Sequence, residues 1–216
     1  VEIPFFNLLS TRRAVRVYKN QRVPRELLEK IVVAVTLAPP GFPPPKVSLT
    51  VVEDPLKMRE ALPHLIEFYE FLLGALKNPV KRFVIRRKVG AQKFKTLRDH
   101  VVPLMTLRLP DLKKGVEDTI TRGAPALVLF HADRRAEGVL ADAHIAVTYA
   151  FLAAHALGLG ASAMDLIPPA VEKWAPLRKL FAIPEHDEVL GSVILGYPKF
   201  RYARGIRRAP KSVNWV

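Results

Sequence analysis

Cysteine is absent from the 216 residues of this chain. Its absence excludes disulfide frameworks, thiolate zinc sites, iron–sulfur ligation and cysteine nucleophiles. Several enzyme motifs are absent as well: there is no Gly-x-Ser-x-Gly elbow, no His-Glu-x-x-His, no Gly-x-x-x-x-Gly-Lys-Ser/Thr and no Gly-x-Gly-x-x-Gly that opens a helix. The sequence therefore gives no indication of an α/β hydrolase, a zinc protease or a P-loop enzyme.

Asparagine and glutamine are scarce, with four and two copies. Because 19 prolines accompany this scarcity, we expect a thermophilic source. The first residues, 1–4, have neither a basic nor an apolar signal region, and the most apolar stretch, 145–159, is interrupted by Thr148 and His155 and is too short to cross a bilayer. We therefore expect a cytoplasmic protein without a membrane partner.

Positive charge is what the chain has in excess. It carries 34 Lys+Arg against 20 Asp+Glu, which gives a net charge of +14 and a pI near 10.2. Half of the residues are hydrophobic, which is enough for a core and too many for a disordered basic tail. The length fits one large domain or two small ones, and we expect a single domain over residues 1–216. The excess of positive charge suggests an anionic binding partner.

Helices and strands alternate along the sequence. Apolar alternation or continuous apolar runs predict four strands, at residues 47–51, 126–130, 161–164 and 189–195. Helical spacing of apolar residues predicts helices at residues 5–10, 24–38, 142–157 and 168–180. The strand at 126–130 should be covered on both faces, and the helix at 142–157 should be central and end at Gly158. This alternation predicts an α/β or α+β layered domain.

Two segments depart from this alternation. Residues 55–118 contain amphipathic helical pieces and a basic stretch, 81–88, which predict an inserted helical subdomain or lid. Residues 198–216 show neither helical nor strand period and predict an extended C-terminal arm that is rich in arginine.

Histidine is present but not in metal-binding spacing. His144 and His155 are eleven residues apart on one helix face, too far to share a metal, so we interpret both as hydrogen-bonded helix residues. His131 and Asp133 could together coordinate a metal, but a strand-end loop is the preferred interpretation. We expect no metal site.

Arginine is concentrated in two clusters. Arg12, Arg13 and Arg16 follow the first helix, and a second group lies in the arm at 201–208. Planar guanidinium groups bind phosphate in bidentate fashion, so three of them within five residues fit a phosphate site. By spacing alone a solvated charged face is the simpler interpretation, and a nucleic-acid backbone is a further alternative.

The first cluster also resembles the opening of the FMN-dependent nitroreductase family. That family shows Arg-Arg-Ser-x-Arg-x-Phe, a helix led by Val-Pro, and then Ala-Pro-Ser. Similar motifs occur here in the same order, at residues 12–18, 23–28, 38–39, 153–160, 196–198 and 207–215. The resemblance covers residues 5–53 and 120–216.

This resemblance implies an α+β fold, with three layers in α/β/α order around a central, mostly antiparallel sheet. It implies a homodimer with FMN at the interface, the phosphate held by both arginine clusters, and a loop from the partner subunit near the flavin. The implied cofactor-binding residues are Arg12, Arg13, Ala14, Arg16, Pro40, Gly41, Phe42, Pro43, Ala163, Met164, Asp165, Arg207 and Arg208. No catalytic side chain is implied, because the flavin performs the redox chemistry.

The chain departs from the family pattern at two places. Ala14 replaces a serine hydroxyl that would donate to phosphate, and the loop after Pro39 lacks the Asn and Gln that contact the flavin edges. Its Gly-x-Pro-Pro sequence resembles a subgroup linked to ferredoxin-type proteins. Without cysteine in this chain, any such electron source must be a separate protein.

The resemblance implies an oxidoreductase that reduces nitro compounds, quinones or similar small acceptors. Its electrons would come from NAD(P)H or an acidic carrier protein, which the basic segment 81–88 could steer electrostatically. One alternative is a flavin-binding protein of this fold with a different or no redox turnover. Another is a basic nucleic-acid-binding protein, which is disfavoured because Phe83 is the only aromatic residue within segment 81–88.

Overall fold

The computed structural model describes residues 4–205 and 208–215. Within them, four strands form one sheet: β1 (Ser48–Val52), β2 (Ala126–Asp133), β3 (Gly160–Ala163) and β4 (Asp187–Gly196). The strands are hydrogen-bonded in the order β1-β2-β4-β3, and each neighbouring pair is antiparallel. All four strands that the apolar pattern predicts are therefore confirmed.

The helices are α1 (Pro4–Thr11), α2 (Arg25–Thr36), α3 (Pro55–Lys77), α4 (Pro79–Val89), α5 (Ala91–Thr96), α6 (Val102–Lys113), α7 (Val139–Ala156), α8 (Ile167–Lys173) and α9 (Ala175–Leu180). A π-helical turn, Leu97–Val101, joins α5 to α6. Side-chain caps begin two of the helices, because Asp54 accepts a hydrogen bond from the Leu56 amide and Asn78 accepts one from the Val80 amide. In both cases a proline follows the cap, at the position where its missing N–H costs nothing.

Helices cover both faces of the sheet. α2 and α7 lie on one face, and α3, α6, α8 and α9 lie on the other. Side chains of β2 alternate between them, so that Val128 and Phe130 face α7 while Leu127 and Leu129 face α3. All four are buried, and a buried side chain of this size contributes about 1.5–3 kcal/mol to stability. The three-layer α+β fold is thereby confirmed.

Helix α7 is the central helix that the sequence predicts, and Gly158 ends it with a positive φ of 75°. Its 18 residues have a mean hydropathy of 1.3, and by length and composition alone they could cross a bilayer. The core helix of a globular protein meets the same criteria. Four alanines, at 143, 146, 150 and 154, bury one face of α7 in the core shared with α2 and the sheet, as in a core helix. Only 33% of the helix is buried, which leaves a largely apolar face uncovered by this chain.

The interpretation of residues 131–133 as a strand-end loop is wrong, because both His131 and Asp133 belong to β2. His131 is buried, its Nδ1 lies 2.5 Å from the Asp187 carboxylate, and its Nε2 lies 3.1 Å from the Thr50 hydroxyl. Both ring nitrogens of His131 therefore have polar partners, and these contacts connect β1, β2 and β4. Among the described residues no group of three potential metal ligands occurs.

The helix predicted at residues 168–180 is in fact two helices. The chain is extended at Trp174, with φ −114° and ψ 105°, and α9 begins at the next residue. Pro176 explains the break, because proline has no N–H with which to continue the hydrogen-bond ladder of α8.

Between β1 and β2 the chain is mainly helical, as predicted, and it has two distinct parts. α3 and α6 pack on each other and contribute Met58, Leu65 and Met105 to the core. Residues 79–101, which form α4, α5 and the π-helical turn, contain no buried residue. We call these residues the basic hairpin.

Beyond β4, the described part of the arm contains no helix or strand. The arm begins beside the segment that follows α1, where the Lys19 amide donates to the Tyr197 carbonyl over 2.8 Å and the Lys199 amide donates to the Val17 carbonyl over 3.1 Å. The two ends of the chain, each with its arginine cluster, are therefore neighbours.

Candidate functional site

The segment after α1 is attached to the edge of the sheet at β3. The Val15 amide donates to the Ala161 carbonyl over 3.0 Å, and Ala14 pairs with Ala161 in a parallel bridge. Glycine is needed opposite, because a Cβ at Gly160 would lie 2.6 Å from side-chain atoms of Val15. The first arginine cluster flanks this attachment, so its side chains start from a fixed backbone.

Arg12 lies against α7 and close to the arm. Its guanidinium carbon is 5.3 Å from the centre of the Phe151 ring, in cation–π geometry. Burial lowers the pKa of Arg12, and the positive charge of Arg208 lowers it further. An arginine of the second cluster is thus close enough for its charge to act on Arg12. Neither has a carboxylate partner within the described residues, so an anion between them would relieve their repulsion.

His155 is the polar neighbour of Arg12 on α7. Its Nε2 lies 2.9 Å from the Thr11 hydroxyl, which confirms the interpretation of His155 as a hydrogen-bonded helix residue. Burial lowers the pKa of His155, and the charge of Arg12 adds to this effect. The imidazole is therefore neutral near pH 7 and adds no further positive charge beside the two arginines.

Arg13 points toward the arm. Its Nη1 donates to the Arg204 carbonyl over 2.9 Å, and its guanidinium carbon is 4.7 Å from the centre of the Tyr202 ring. The arm passes so close to α1 that a Cβ at Gly205 would lie 2.4 Å from the Ser10 carbonyl oxygen. Arg13 thus holds the arm, which carries the second arginine cluster, close to α1. In that cluster the predicted residue 207 lies outside the described residues.

Arg16 lies elsewhere, in a cavity of 370 Å³ between the segment after α1, the first turns of α3 and the loop before β2. Lys19, Arg59 and Arg122 line the same cavity. Arg122 has a left-handed φ of 58°, and its Nε is buried without a hydrogen-bond partner in the described part of the chain. Sequence reasoning missed Arg59 and Arg122. The Thr-Arg-Gly turn before β2 was a signal for Arg122, whereas Arg59 lies within α3 and gave none.

Among the described residues, Asp118 is the one carboxylate that lines this cavity, and its oxygens accept hydrogen bonds from the loop. It accepts hydrogen bonds from the amides of Ile120, Thr121 and Gly123, at 3.0, 2.7 and 3.1 Å. Arg122 also pairs with Glu117 over 3.3 Å, whereas Arg16, Lys19 and Arg59 have no carboxylate partner among the described residues. The cavity therefore keeps an excess of positive charge, which suits an anionic or electron-rich ligand.

Residues 163–165 extend from the end of β3. Met164 is buried and held by Ser192, whose carbonyl accepts from the Met164 amide at 3.2 Å and whose hydroxyl donates to the Met164 carbonyl at 2.8 Å. Ala163 and Asp165, on either side, are exposed. The segment thus presents a fixed, accessible edge to a bound molecule.

The loop at residues 40–43 is anchored at the opposite end of α7 from His155. The Gly41 amide donates to the Asp142 carboxylate over 2.8 Å, and Phe42 is exposed. Asp142 and His155 are 13 residues apart on α7, which is about 20 Å along the helix axis. Within one chain, the structure does not bring this loop to the paired arginines.

Comparison with known proteins identifies the family and the fold. The sequence pattern of the Nitroreductase family matches residues 9–197. The chain therefore belongs to the nitroreductase family, which confirms the resemblance carried by its motifs.

A sequence relative from Methanothermobacter thermautotrophicus bears the name "Putative NADH dehydrogenase/NAD(P)H nitroreductase" and is 25% identical over 194 residues, which cover 88% of this chain and 75% of that protein. Two solved nitroreductases with bound FMN have the same fold. That of Bacteroides fragilis has a TM-score of 0.68 at 20% identity and covers 100% of this chain and 99% of its own. That of Desulfitobacterium hafniense has a TM-score of 0.71 at 19% identity and covers both chains completely, at 100%.

Proposed function

We propose that this protein is an FMN-dependent oxidoreductase that passes electrons from NAD(P)H or a carrier protein to small electron-poor acceptors, such as nitro compounds or quinones. Family membership and the named relatives support the enzyme class and the cofactor. The observation that carries the proposal is the convergence of the two arginine clusters: Arg13 donates a hydrogen bond to the Arg204 carbonyl, and the charge of Arg208 acts on Arg12, which has no carboxylate partner among the described residues. A phosphate group compensates such a pair with charge-assisted hydrogen bonds.

The residues present fit FMN in the following way. Arg12 and Arg208 would bind the phosphate. Because Ala14 has no hydroxyl to donate a hydrogen bond, phosphate binding would depend on these guanidinium groups. The accessible edge at 163–165 would orient the ring system, with the cations around Arg16 favouring electron-rich groups nearby. When bound, FMN supplies the hydride and electron chemistry.

We infer that the active protein is a homodimer. Helix α1 has no buried residue in this chain and exposes Phe5, Phe6 and Leu9, and it packs on α7, whose outer face is also apolar. Contiguous apolar surface of this kind is typical of protein interfaces. The end of α7 that holds the 40–43 loop is about 20 Å from the end beside Arg12. This distance supports a dimer in which each loop contributes to the partner's site.

The donor is proposed to be anionic, because the net charge of +14 attracts NAD(P)H or an acidic carrier protein and repels cationic reductants. Any iron–sulfur centre would belong to the carrier protein, since this chain has no cysteine. We also propose that the protein is cytoplasmic and comes from a thermophilic source.

The phosphate assignment is tested by comparing FMN with riboflavin, which lacks the phosphate. We expect the purified protein to bind FMN and show a flavin absorbance spectrum. Arg12→Leu should weaken FMN binding by about tenfold or more, since a charged hydrogen bond is worth about 1.5–3 kcal/mol, and should leave riboflavin binding unchanged. Fluorescence titration measures both affinities.

Lys30→Leu serves as the matched control, because it removes an exposed cation of α2 that is remote from the arginine pair. It should change neither affinity. An equal loss of riboflavin affinity in Arg12→Leu would show a structural defect instead of a lost phosphate contact. Steady-state NAD(P)H oxidation with a quinone acceptor then separates an oxidoreductase from a flavin-binding protein without turnover.

A further inference from the structure

The basic hairpin is the most cationic part of the chain and takes no part in the candidate flavin site. Between residues 79 and 98 it carries eight Lys or Arg residues and no Asp or Glu: Lys81, Arg82, Arg86, Arg87, Lys88, Lys93, Lys95 and Arg98. Among the described residues only Arg98 has a carboxylate partner, its neighbour Asp99. Most of this charge is therefore available to an external anion.

Apolar side chains are exposed among these charges. Val80, Phe83 and Val84 are 71%, 63% and 43% exposed. Their spacing of three and four residues places them on one face of α4, and Arg87 continues the same face in the next turn. Lys81 and Lys88 flank it. An apolar face bordered by cations is the arrangement of helices that bind at a lipid–water interface.

A cavity adjoins this face of α4 and shares Phe83 with it. It has a volume of 590 Å³, and Phe83, Phe94 and Leu97 form its apolar wall. Arg82 and Arg86, one helical turn apart, line the same cavity and have no carboxylate partner in the described chain. The hairpin thus offers both an apolar face and an apolar cavity with cations at its edge, which suits a molecule with an anionic head and an apolar body.

We propose that the basic hairpin docks the protein on the surface of an anionic lipid bilayer. The face formed by Val80, Phe83 and Val84 enters the headgroup region, and the surrounding lysines and arginines bind lipid phosphates. This mode differs from the membrane-spanning segment that the sequence-based expectation considered. It needs only an exposed, cationic and apolar element, and it leaves α7 in the core.

Charge and side-chain chemistry favour a bilayer over other partners. A second copy of this chain also carries +14, so its approach to the hairpin is electrostatically unfavourable. Single-stranded nucleic acid needs several exposed aromatic rings for base stacking, whereas the hairpin exposes only Phe83, because Phe94 is half-buried and Val80 and Val84 cannot stack. An acidic protein satisfies the charge and remains one outcome of the test.

The test is vesicle flotation with the full chain loaded with FMN, at about 0.15 M ionic strength. One set of vesicles is pure phosphatidylcholine and the other contains about one third phosphatidylglycerol. We expect binding to the anionic vesicles only. Lys81→Glu/Lys88→Glu should weaken that binding by at least about tenfold, and Val80→Ser should weaken it by about fivefold.

The controls match these changes elsewhere on the surface. Lys30→Glu/Lys179→Glu makes the same change in net charge on α2 and α9, and Val33→Ser removes a valine that is 59% exposed on α2. Both should bind anionic vesicles within about twofold of the wild type. Circular dichroism and the FMN content verify that each variant is folded.

Three results would overturn the proposal: no binding to anionic vesicles, equal binding to neutral ones, or equal loss in the control variants. Hairpin-dependent binding to single-stranded DNA or to an acidic protein, without vesicle binding, would assign the hairpin to that partner instead. FMN binding and NAD(P)H oxidation are measured separately, so failure here leaves the proposed function standing.

Discussion

At the scale of single residues, the positive charge of Arg12 acts on neighbouring side chains in addition to any bound anion. It stands beside Arg208 and His155, and the histidine responds with a lowered pKa. In the unfolded chain His155 would titrate near its ordinary pKa of about 6.5. As the pH falls below this value the unfolded chain takes up the proton first, so the free energy of unfolding decreases between about pH 6.5 and the folded pKa.

We therefore expect the His155 ring to titrate below pH 6.5 in the folded protein, as measured by NMR of the histidine Cε1–H signals. Arg12→Leu removes the nearby positive charge and should raise this pKa, without restoring it fully because burial is the larger cause. His144, an exposed residue of the same helix, is the internal reference. A His155 midpoint that Arg12→Leu does not move would contradict the geometry.

At the scale of elements, the join between the segment after α1 and strand β3 determines where the first arginine cluster lies. Gly160→Ala would place a Cβ at 2.6 Å from Val15 and should lower the free energy of unfolding by about 1–3 kcal/mol. Gly74→Ala is the matched control, because Gly74 lies inside α3 with open space around it, and this change should stabilise the protein by about 0.5–1 kcal/mol. Urea denaturation measures both changes, and a stabilising Gly160→Ala would show that the join is looser than described.

At the scale of the whole molecule, the proposed dimer connects the apolar surface of α1 and α7 with cofactor binding. We expect a mass of twice 24.2 kDa in sedimentation equilibrium. Phe6→Glu introduces a charge into this surface and should produce a monomer that binds FMN more weakly, because the partner's 40–43 loop is lost. Val116→Glu, on an exposed apolar residue outside this surface, should leave both properties unchanged. A monomeric wild type with tight FMN binding would contradict the dimer proposal.

Much of the secondary structure could be predicted from the sequence, because it depends on local patterns. Alternation at residues 47–51 and the apolar run at 126–130 place β1 and β2, and Gly158 ends α7 where its left-handed backbone requires glycine. Where local pattern is ambiguous, the prediction failed. Polar His131 and Asp133 suggested a loop, whereas Asp187 and Thr50 on neighbouring strands supply partners that let His131 be buried within β2.

The sequence by itself determined the family, the order of the elements and the presence of two arginine clusters, because these depend only on residue types and on their spacing along the chain. Only the tertiary structure decided what each arginine does. It places Arg12 over Phe151 within reach of the charge of Arg208, turns Arg13 toward the arm, and places Arg16 in a cavity with Arg59 and Arg122, which come from distant parts of the chain. The physical reason is that charge repulsion, cation–π contact and burial depend on distances in space, which packing sets and local periodicity does not.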